Sequence, residues 1–317
     1  MKNTEISESK LEIHYWLNNN SHSMNAFIIN KCEYEILGLI KEVSKIYGLE
    51  VKIEAQAYSE GGIIKWLKII SKEENKKATI TTSVITALMI LLLTTPLSKV
   101  TEKLIDKLFE DTELRELEKE KLKQEVIKLQ KENGTYVFDN PTIRKKRSNF
   151  YETLDKETQV QKVYFESCSG KDTKEIKSQF VSKSEFKNFV LVTDELEPEN
   201  IDEAVIEIIS PVLKKGNYKW SGYYNSEVIY FSMKSNEFKT AVQNGRIEFK
   251  NGSTINCNLV IKRKVNNDGL IKLVGYEVSS VNSYYSDDIH IETSEGRSKR
   301  FNKEKDRTQL KLFVAND

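Results

Sequence analysis

Ala78-Thr79-Ile80-Thr81-Thr82-Ser83-Val84-Ile85-Thr86-Ala87-Leu88-Met89-Ile90-Leu91-Leu92-Leu93-Thr94-Thr95-Pro96-Leu97-Ser98 runs from Lys77 to Lys99 without a charge, in a chain that is 31% Asp, Glu, Lys and Arg. As a helix, a stretch of this length reaches about 30 Å, the thickness of a bilayer core. Lys72, Lys76 and Lys77 before it and Lys99 and Lys103 after it suit anchoring at the two interfaces. The segment therefore reads as a transmembrane helix. The competing reading is a hydrophobic helix buried inside a soluble homo-oligomer. Eight of the 21 residues are Thr or Ser, and Pro96 lies near the end, which lowers the hydropathy below that of an ordinary span.

The hydroxyls are ordered. At 100° per residue Thr79, Thr82, Ser83 and Thr86 share one stripe, which continues as Ile90, Leu93 and Leu97. Hydroxyls in a lipid environment seek a helix interface or a water-filled lumen. An assembly of several copies would thus line a pore with Thr79, Thr82, Ser83 and Thr86 at one end and close it with Ile90 and Leu93 at the other, an apolar constriction that gates by dewetting. The competing account is that each hydroxyl bonds the carbonyl four residues back.

On the N-terminal side, residues 11–17 read as a strand, and Ser21 or Ser23 as the cap of a helix whose apolar positions run from Ile28 to Tyr47. Gly48 ends that helix, residues 49–57 alternate as a strand, and residues 63–70 read as a short amphipathic helix carrying Trp66. The first ten residues hold no apolar core, so no secretory signal is expected.

On the C-terminal side, Lys, Glu and Leu dominate residues 99–133, a long helix or short coiled coil that ends at Gly134. Residues 135–160, with Pro141, read as a linker, and Arg144-Lys145-Lys146-Arg147 in it suits phosphates or anionic headgroups. Strands are expected at 163–168, 189–193, 205–209, 227–233, 246–249, 255–262 and 270–278. Asn251-Gly252 reads as a two-residue hairpin turn and Asn267-Asp268-Gly269 as another turn; the tail after 286 reads as loose.

The expected fold class is α+β: a small N-terminal β-α-β domain over residues 1–70, a hydrophobic helix and an assembly helix over 71–134, a linker over 135–160, and an antiparallel β barrel or sandwich over 161–317 that acts as a binding domain.

The chain has no phosphate-binding Gly-rich loop, no Gly-x-Ser-x-Gly, no His-Glu-x-x-His and no paired Asp box, so no enzyme, cofactor or metal site is expected. A net charge of +1 gives no nucleic-acid signal of its own. Cys32, Cys168 and Cys257 lie far apart, which argues for reducing surroundings. His22, at a strand-to-helix junction, is the one single residue that suggests anion binding or catalysis.

The best candidate surface lies in the β-rich half. Lys214, Lys215, Lys219, Trp220, Tyr223 and Tyr224 interleave cations with aromatics, and Lys262 and Arg263 on a later strand join them. Bases stack on aromatics while lysines meet phosphates, so a nucleotide or short oligonucleotide is the expected ligand.

This layout of soluble module, membrane-competent helix, assembly helix and β sensor resembles bacterial anti-phage membrane effectors with a nucleotide-sensing domain, the Hailong type being nearest. The resemblance implies a homo-oligomeric channel in contact with membrane lipid, a nucleotide-type regulator, and a place in the bacterial inner membrane with cytoplasmic soluble domains. The alternative is a cytoplasmic homo-oligomeric protein-interaction module.

Overall fold

The computed structural model describes residues 8–18, 23–56, 63–71, 81–96, 116–129, 135–169, 174–286 and 289–314. They form two compact units, one of the described residues up to Asp194 together with Val265–Leu270, the other of Glu195–Lys264 and the described residues from Ile271 onward.

The first unit begins with β1 (Glu8–Leu17), α1 (Ala26–Ile46) and β2 (Val51–Gln56). The cap of α1 is Asn25, whose side chain accepts from the Phe27 amide at 2.9 Å, not Ser21 or Ser23. Residues 63–70, expected as a helix, form a strand, β3 (Ile63–Ser71), paired antiparallel to both β1 and β2. Pairing with two neighbours outweighs the weak helical spacing of so short a segment.

After α2 (Thr82–Thr94), α3 (Glu116–Leu129) and the short α4 (Thr135–Asp139) comes α5 (Pro141–Asp155), a helix where a linker was expected. Pro141 sits in its first turn and Asn140 caps it, a strong start signal. The strands β4 (Val160–Ser169) and β5 (Lys174–Ser182) then complete one five-stranded sheet in the order β2-β3-β1-β4-β5, so the β-rich text from 161 first serves the N-terminal sheet. The first four strands have the connectivity of a split β-α-β unit.

Helix α2 overturns the membrane reading. It spans 13 residues, about 20 Å, and no helix among the described residues is long and apolar enough to cross a membrane. Every residue from Val84 to Leu93 is buried in the unit's core, together with α1, α5 and the inner face of the sheet. The proposed pore positions are core positions: Thr82, Thr86, Ile90 and Leu93 have no exposed surface, Ser83 is half-buried, and Thr79 lies outside the described residues. Thr86 Oγ1 donates to the Thr82 carbonyl at 3.0 Å and meets Ser9 Oγ of β1 at 2.6 Å, and Thr94 Oγ1 donates to the Ile90 carbonyl at 2.8 Å. The hydroxyls are thus satisfied within the chain. The membrane, channel and inner-membrane expectations fall with this helix, and the buried-helix alternative gains, with burial supplied by the chain itself. The described part of the charged helix, α3, packs on α2 through Val126 and Ile127.

The basic run of α5 is also inside. Arg147, 3% exposed, donates to the Leu92 and Thr95 carbonyls at 3.3 Å each and lies over the Phe189 ring. Tyr151 donates its hydroxyl proton to the Leu93 carbonyl. Together they satisfy the orphan carbonyls at the C-terminus of α2. Lys145 pairs with Asp194 at 2.6 Å. Lys146 lies 3.9 Å from the buried Glu35, which also accepts from Asn149 at 3.2 Å. Lys145, Lys146 and Arg147 are therefore structural and do not face phosphates or lipid, while Arg144 is half-buried.

In the second unit, β6 (Glu199–Ser210), β7 (Trp220–Tyr224), β8 (Glu227–Met233), α6 (Asn236–Gln243), β9 (Thr254–Val265) and β10 (Ile271–Ser286) form a closed five-stranded barrel. The order β10-β8-β7-β6-β9 closes where β9 pairs with β10. The β8–β10 pair is parallel, so the barrel is not wholly antiparallel as expected. Residues 189–193 and 246–249 form no strand. Phe189 stacks on Tyr151 at 4.4 Å and Phe249 packs edge-on against Trp220 at 5.9 Å, so their hydrophobicity serves plugs instead. Asn251-Gly252 is a turn, with Gly252 at φ +82°, but it leads into β9 without joining paired strands. β11 (Ile289–Glu292) extends β10, and the tail expected to be loose is α7 (Ser294–Val314).

Candidate site on the barrel face

Alternation along β7 and β8 decides which side chains leave the barrel. Trp220, Gly222, Ile229, Phe231 and Met233 point inward and are buried, while Tyr223, Val228 and Tyr230 point outward. Register sets Tyr223 opposite Val228 and Ser221 opposite Tyr230, so the two tyrosines occupy adjacent rows of one outer face. Their exposures, 45% and 62%, are high for aromatics in a folded sheet. Val205 and Ile209 of β6 extend the apolar face beside Glu207, which pairs with Tyr223.

Two local devices hold the face in place. The β7–β8 turn carries Asn225 at φ +49° and Ser226 at φ +67°, positive at both central positions as a tight hairpin twist requires. At Gly222, a Cβ would lie 2.6 Å from the Glu207 carbonyl oxygen, so only glycine lets β6 bend this closely over β7.

The cations come from the β6–β7 connection, residues 211–219. Lys214, Lys215 and Lys219 are exposed there, and among the described residues none of the three has an ion-pair partner. Helix α6 braces the loop from below: Gln243 Nε2 donates to the Lys214 carbonyl at 3.3 Å and Lys239 Nζ to the Gly216 carbonyl at 3.4 Å. Lys219 reaches across the strands, its Nζ 3.7 Å from where a Cβ on Gly275 of β10 would sit. An open cleft of about 750 Å³ adjoins the face, lined by Ile209, Leu213, Tyr223, Phe249 and Lys250 among others.

Not every expected ligand residue stands here. Trp220 is fully buried, packed against Phe231, Phe238 and Phe249 in the barrel core, and offers no face to a ligand. Tyr224 is partly buried against the same core. Lys262 pairs with Glu277 at 2.9 Å and Arg263 with Glu199 at 2.9 Å, so both cations already have carboxylate partners. Tyr230, absent from the expected set, is the most exposed aromatic of the face; the alternation Val228, Tyr230, Ser232 in the strand expected at 227–233 carried the signal. His22 lies outside the described residues.

Among the described residues no group of three or more His, Cys, Asp or Glu side chains is placed to hold a metal ion. Burial pushes the Cys32 and Cys257 thiols up to about 12, far from the reactive thiolate range. No protein-family model, no curated protein and no solved structure matches this chain.

Proposed function

We propose that the barrel is an OB-type module that binds short single-stranded nucleic acid across β7 and β8. The strand order, the parallel β8–β10 closure and the helix between the third and fourth strands are those of OB-folds, whose second and third strands carry oligonucleotides. The observation that carries the reading is the pair Tyr223 and Tyr230, two exposed rings on adjacent strands, with three exposed lysines on the flanking loop. Rings accept bases of any sequence and lysines meet the phosphates. This keeps the nucleotide-type regulator implied by the anti-phage resemblance and none of its membrane output. The role is binding, with no catalytic step.

The test is fluorescence anisotropy of the full chain with labelled oligothymidylate and oligouridylate at several salt concentrations. Tyr223→Ala with Tyr230→Ala should weaken binding at least about tenfold, at 1–3 kcal/mol per stacked base. Replacing Lys214, Lys215 and Lys219 by Ala should also flatten the salt dependence. A wild-type chain that binds neither oligomer at low salt, or a tyrosine variant that binds as well as wild type, ends the reading.

A second reading has its own observation. Leu273 and Val274 are neighbours on β10, so they point to opposite faces, yet both are more than half exposed. A protein-interaction module, a homo-oligomer included, would cover them. Light scattering that finds a monomer at high concentration, unchanged by Leu273→Lys, removes the self-association form.

A further inference from the structure

The five-stranded sheet of the first unit has one face under the helices and one face that, among the described residues of the unit, no helix covers. On the open face, alternation places Glu8, Lys10, Glu12, His14 and Trp16 of β1 in line, with Lys162, Tyr164 and Glu166 of β4 and Phe180 of β5 beside them. Polar side chains are the expectation for such a face. On β1 its Glu8 end obeys that rule, with Lys68 paired to Glu8 at 2.7 Å, while Ile70 and Trp66 of β3 lie opposite Glu8 and Glu12. The other end does not. Trp16 lies opposite Lys162, His14 opposite Tyr164, and Tyr164 opposite Phe180.

These residues form a continuous row of rings across three strands. Centroids are 5.6 Å apart for His14 and Trp16, 5.9 Å for Trp16 and Tyr164, and 5.3 Å for Tyr164 and Phe180. Trp16 is 45% exposed and Phe180 53%. The ammonium of Lys162 lies over three of them, 4.7 Å from Trp16, 5.0 Å from Tyr164 and 5.6 Å from Phe180. The core of the unit needs none of these rings, since its inner face is filled from the helix side.

We infer that this end of the open sheet is a second binding surface, one that takes single-stranded nucleic acid with the chain running across the strands. Open sheets recognise single strands through aromatics that stack unpaired bases. The row supplies three such rings in succession, at a spacing an extended strand follows. Energetics favour a base over the present arrangement. A base stacked on an aromatic is held more tightly than an exposed cation–π contact with one ring. A base entering over Trp16 or Phe180 therefore displaces the Lys162 ammonium outward, where it meets the phosphate. Glu12 and Glu166, opposite one another, border the row on the β1 and β4 side. Burial lowers the pKa of His14, so its ring is neutral at pH 7 and fit for stacking. The surface is separate from the barrel face and does not depend on the reading given for it.

The experiment uses the full chain carrying Tyr223→Ala and Tyr230→Ala together with Lys214→Ala, Lys215→Ala and Lys219→Ala, so that the barrel face has lost both its rings and its loop cations. Labelled oligouridylate and oligothymidylate should still bind at low salt. Adding Trp16→Leu and Phe180→Leu, which keep apolar area and remove the ring faces, should lower that residual affinity at least about tenfold, with the unfolding midpoint within a degree or two of the parent's. Lys162→Met should reduce the salt dependence of the residual binding. No residual binding in the barrel variant, or equal binding after both leucine replacements, overturns the proposal while leaving the barrel reading intact. Binding of anionic phospholipid vesicles in place of oligonucleotides, lost on the same replacements, overturns it in favour of a lipid surface.

Discussion

Helix α2 of the first unit and the barrel face of the second treat apolar surplus in opposite ways. The first unit has the longest uncharged text in the chain and hides most of it: α2 is uncharged on all sides and buried from Val84 to Leu93, between the sheet, α1, α3 and α5. The second has less to hide and shows more of it, with Val205, Ile209, Tyr223, Val228 and Tyr230 on the outside of a barrel whose inside is already full. Hydrophobic text therefore locates function poorly by its density. A run that is apolar all round is buried in a core as readily as in a bilayer, whereas one apolar residue out of phase with its strand's inward face stands exposed and available.

The sharpest way to break this contrast is Leu93→Ser. As a pore constriction, position 93 would accept serine with little effect on folding. As a fully buried core position it should not: the lost isobutyl group and the cavity left behind cost about 3–5 kcal/mol. The new hydroxyl recovers little of this even if it bonds the carbonyl one turn back as Thr94 does. Urea unfolding should show a large drop in midpoint, and an unchanged midpoint would return α2 to the membrane debate. Tyr151→Phe should cost less, about 1–2 kcal/mol, because it strips one donor from the C-terminal carbonyls of α2 and leaves the ring packing on Phe186 and Phe189 in place. A neutral result would mean that Arg147 alone caps the helix.

Much of the barrel was legible because its strands alternate cleanly. Residues 227–233 are expected and found as a strand with unshifted ends, and the Asn267-Asp268-Gly269 turn joins β9 to β10 as its composition requires. The buried side of the molecule was less legible. Arg144–Arg147 reads as a run suited to phosphates or headgroups, and nothing in the local sequence says that Arg147 meets main-chain carbonyls of α2 more than 50 residues earlier, or that Lys145 and Lys146 meet Asp194 and Glu35. Residues 63–71 have neighbours on both sides in the sheet, a fact of pairing that their own spacing does not carry. For the candidate site, the lysines and Tyr223 were visible in sequence, while Trp220 was misplaced because interleaving alone does not tell the inward from the outward aromatic. The inward set emerges only once Phe231 and Phe238 are seen around it.

A subtler effect tests the polar side of the first unit's burial. Glu35 faces Lys31 on its own helix, Lys146 and Asn149 on α5, and Asp268 in the β9–β10 turn, and its carboxyl is raised above the ordinary range chiefly by burial, against the pull of Lys146. The folded state then holds a proton that the unfolded chain has released. Stability should fall as pH rises from the ordinary carboxylate range through the raised value, and level off above it. Glu35→Gln removes that slope. Urea midpoints of the two proteins should coincide at low pH and separate in favour of the variant as pH rises. The opposite separation would show that the Lys146 attraction outweighs the desolvation.

The smallest predicted change in stability belongs to the surface on which function is proposed. Tyr230 is 62% exposed on the outer face, so its side chain supports the fold only through cross-strand contact with Ser221 and its diagonal neighbours. Such contacts are worth about 0.2–1 kcal/mol, and Tyr230→Ala should shift the unfolding free energy by about 0.5 kcal/mol, a fraction of the cost at Leu93. Oligonucleotide affinity should fall several-fold in the same protein. If the two properties change together, with a large loss of stability at Tyr230, the ring is part of the barrel's packing, and the distinction between an apolar helix that is hidden and a barrel face that is presented fails at the position where it matters most.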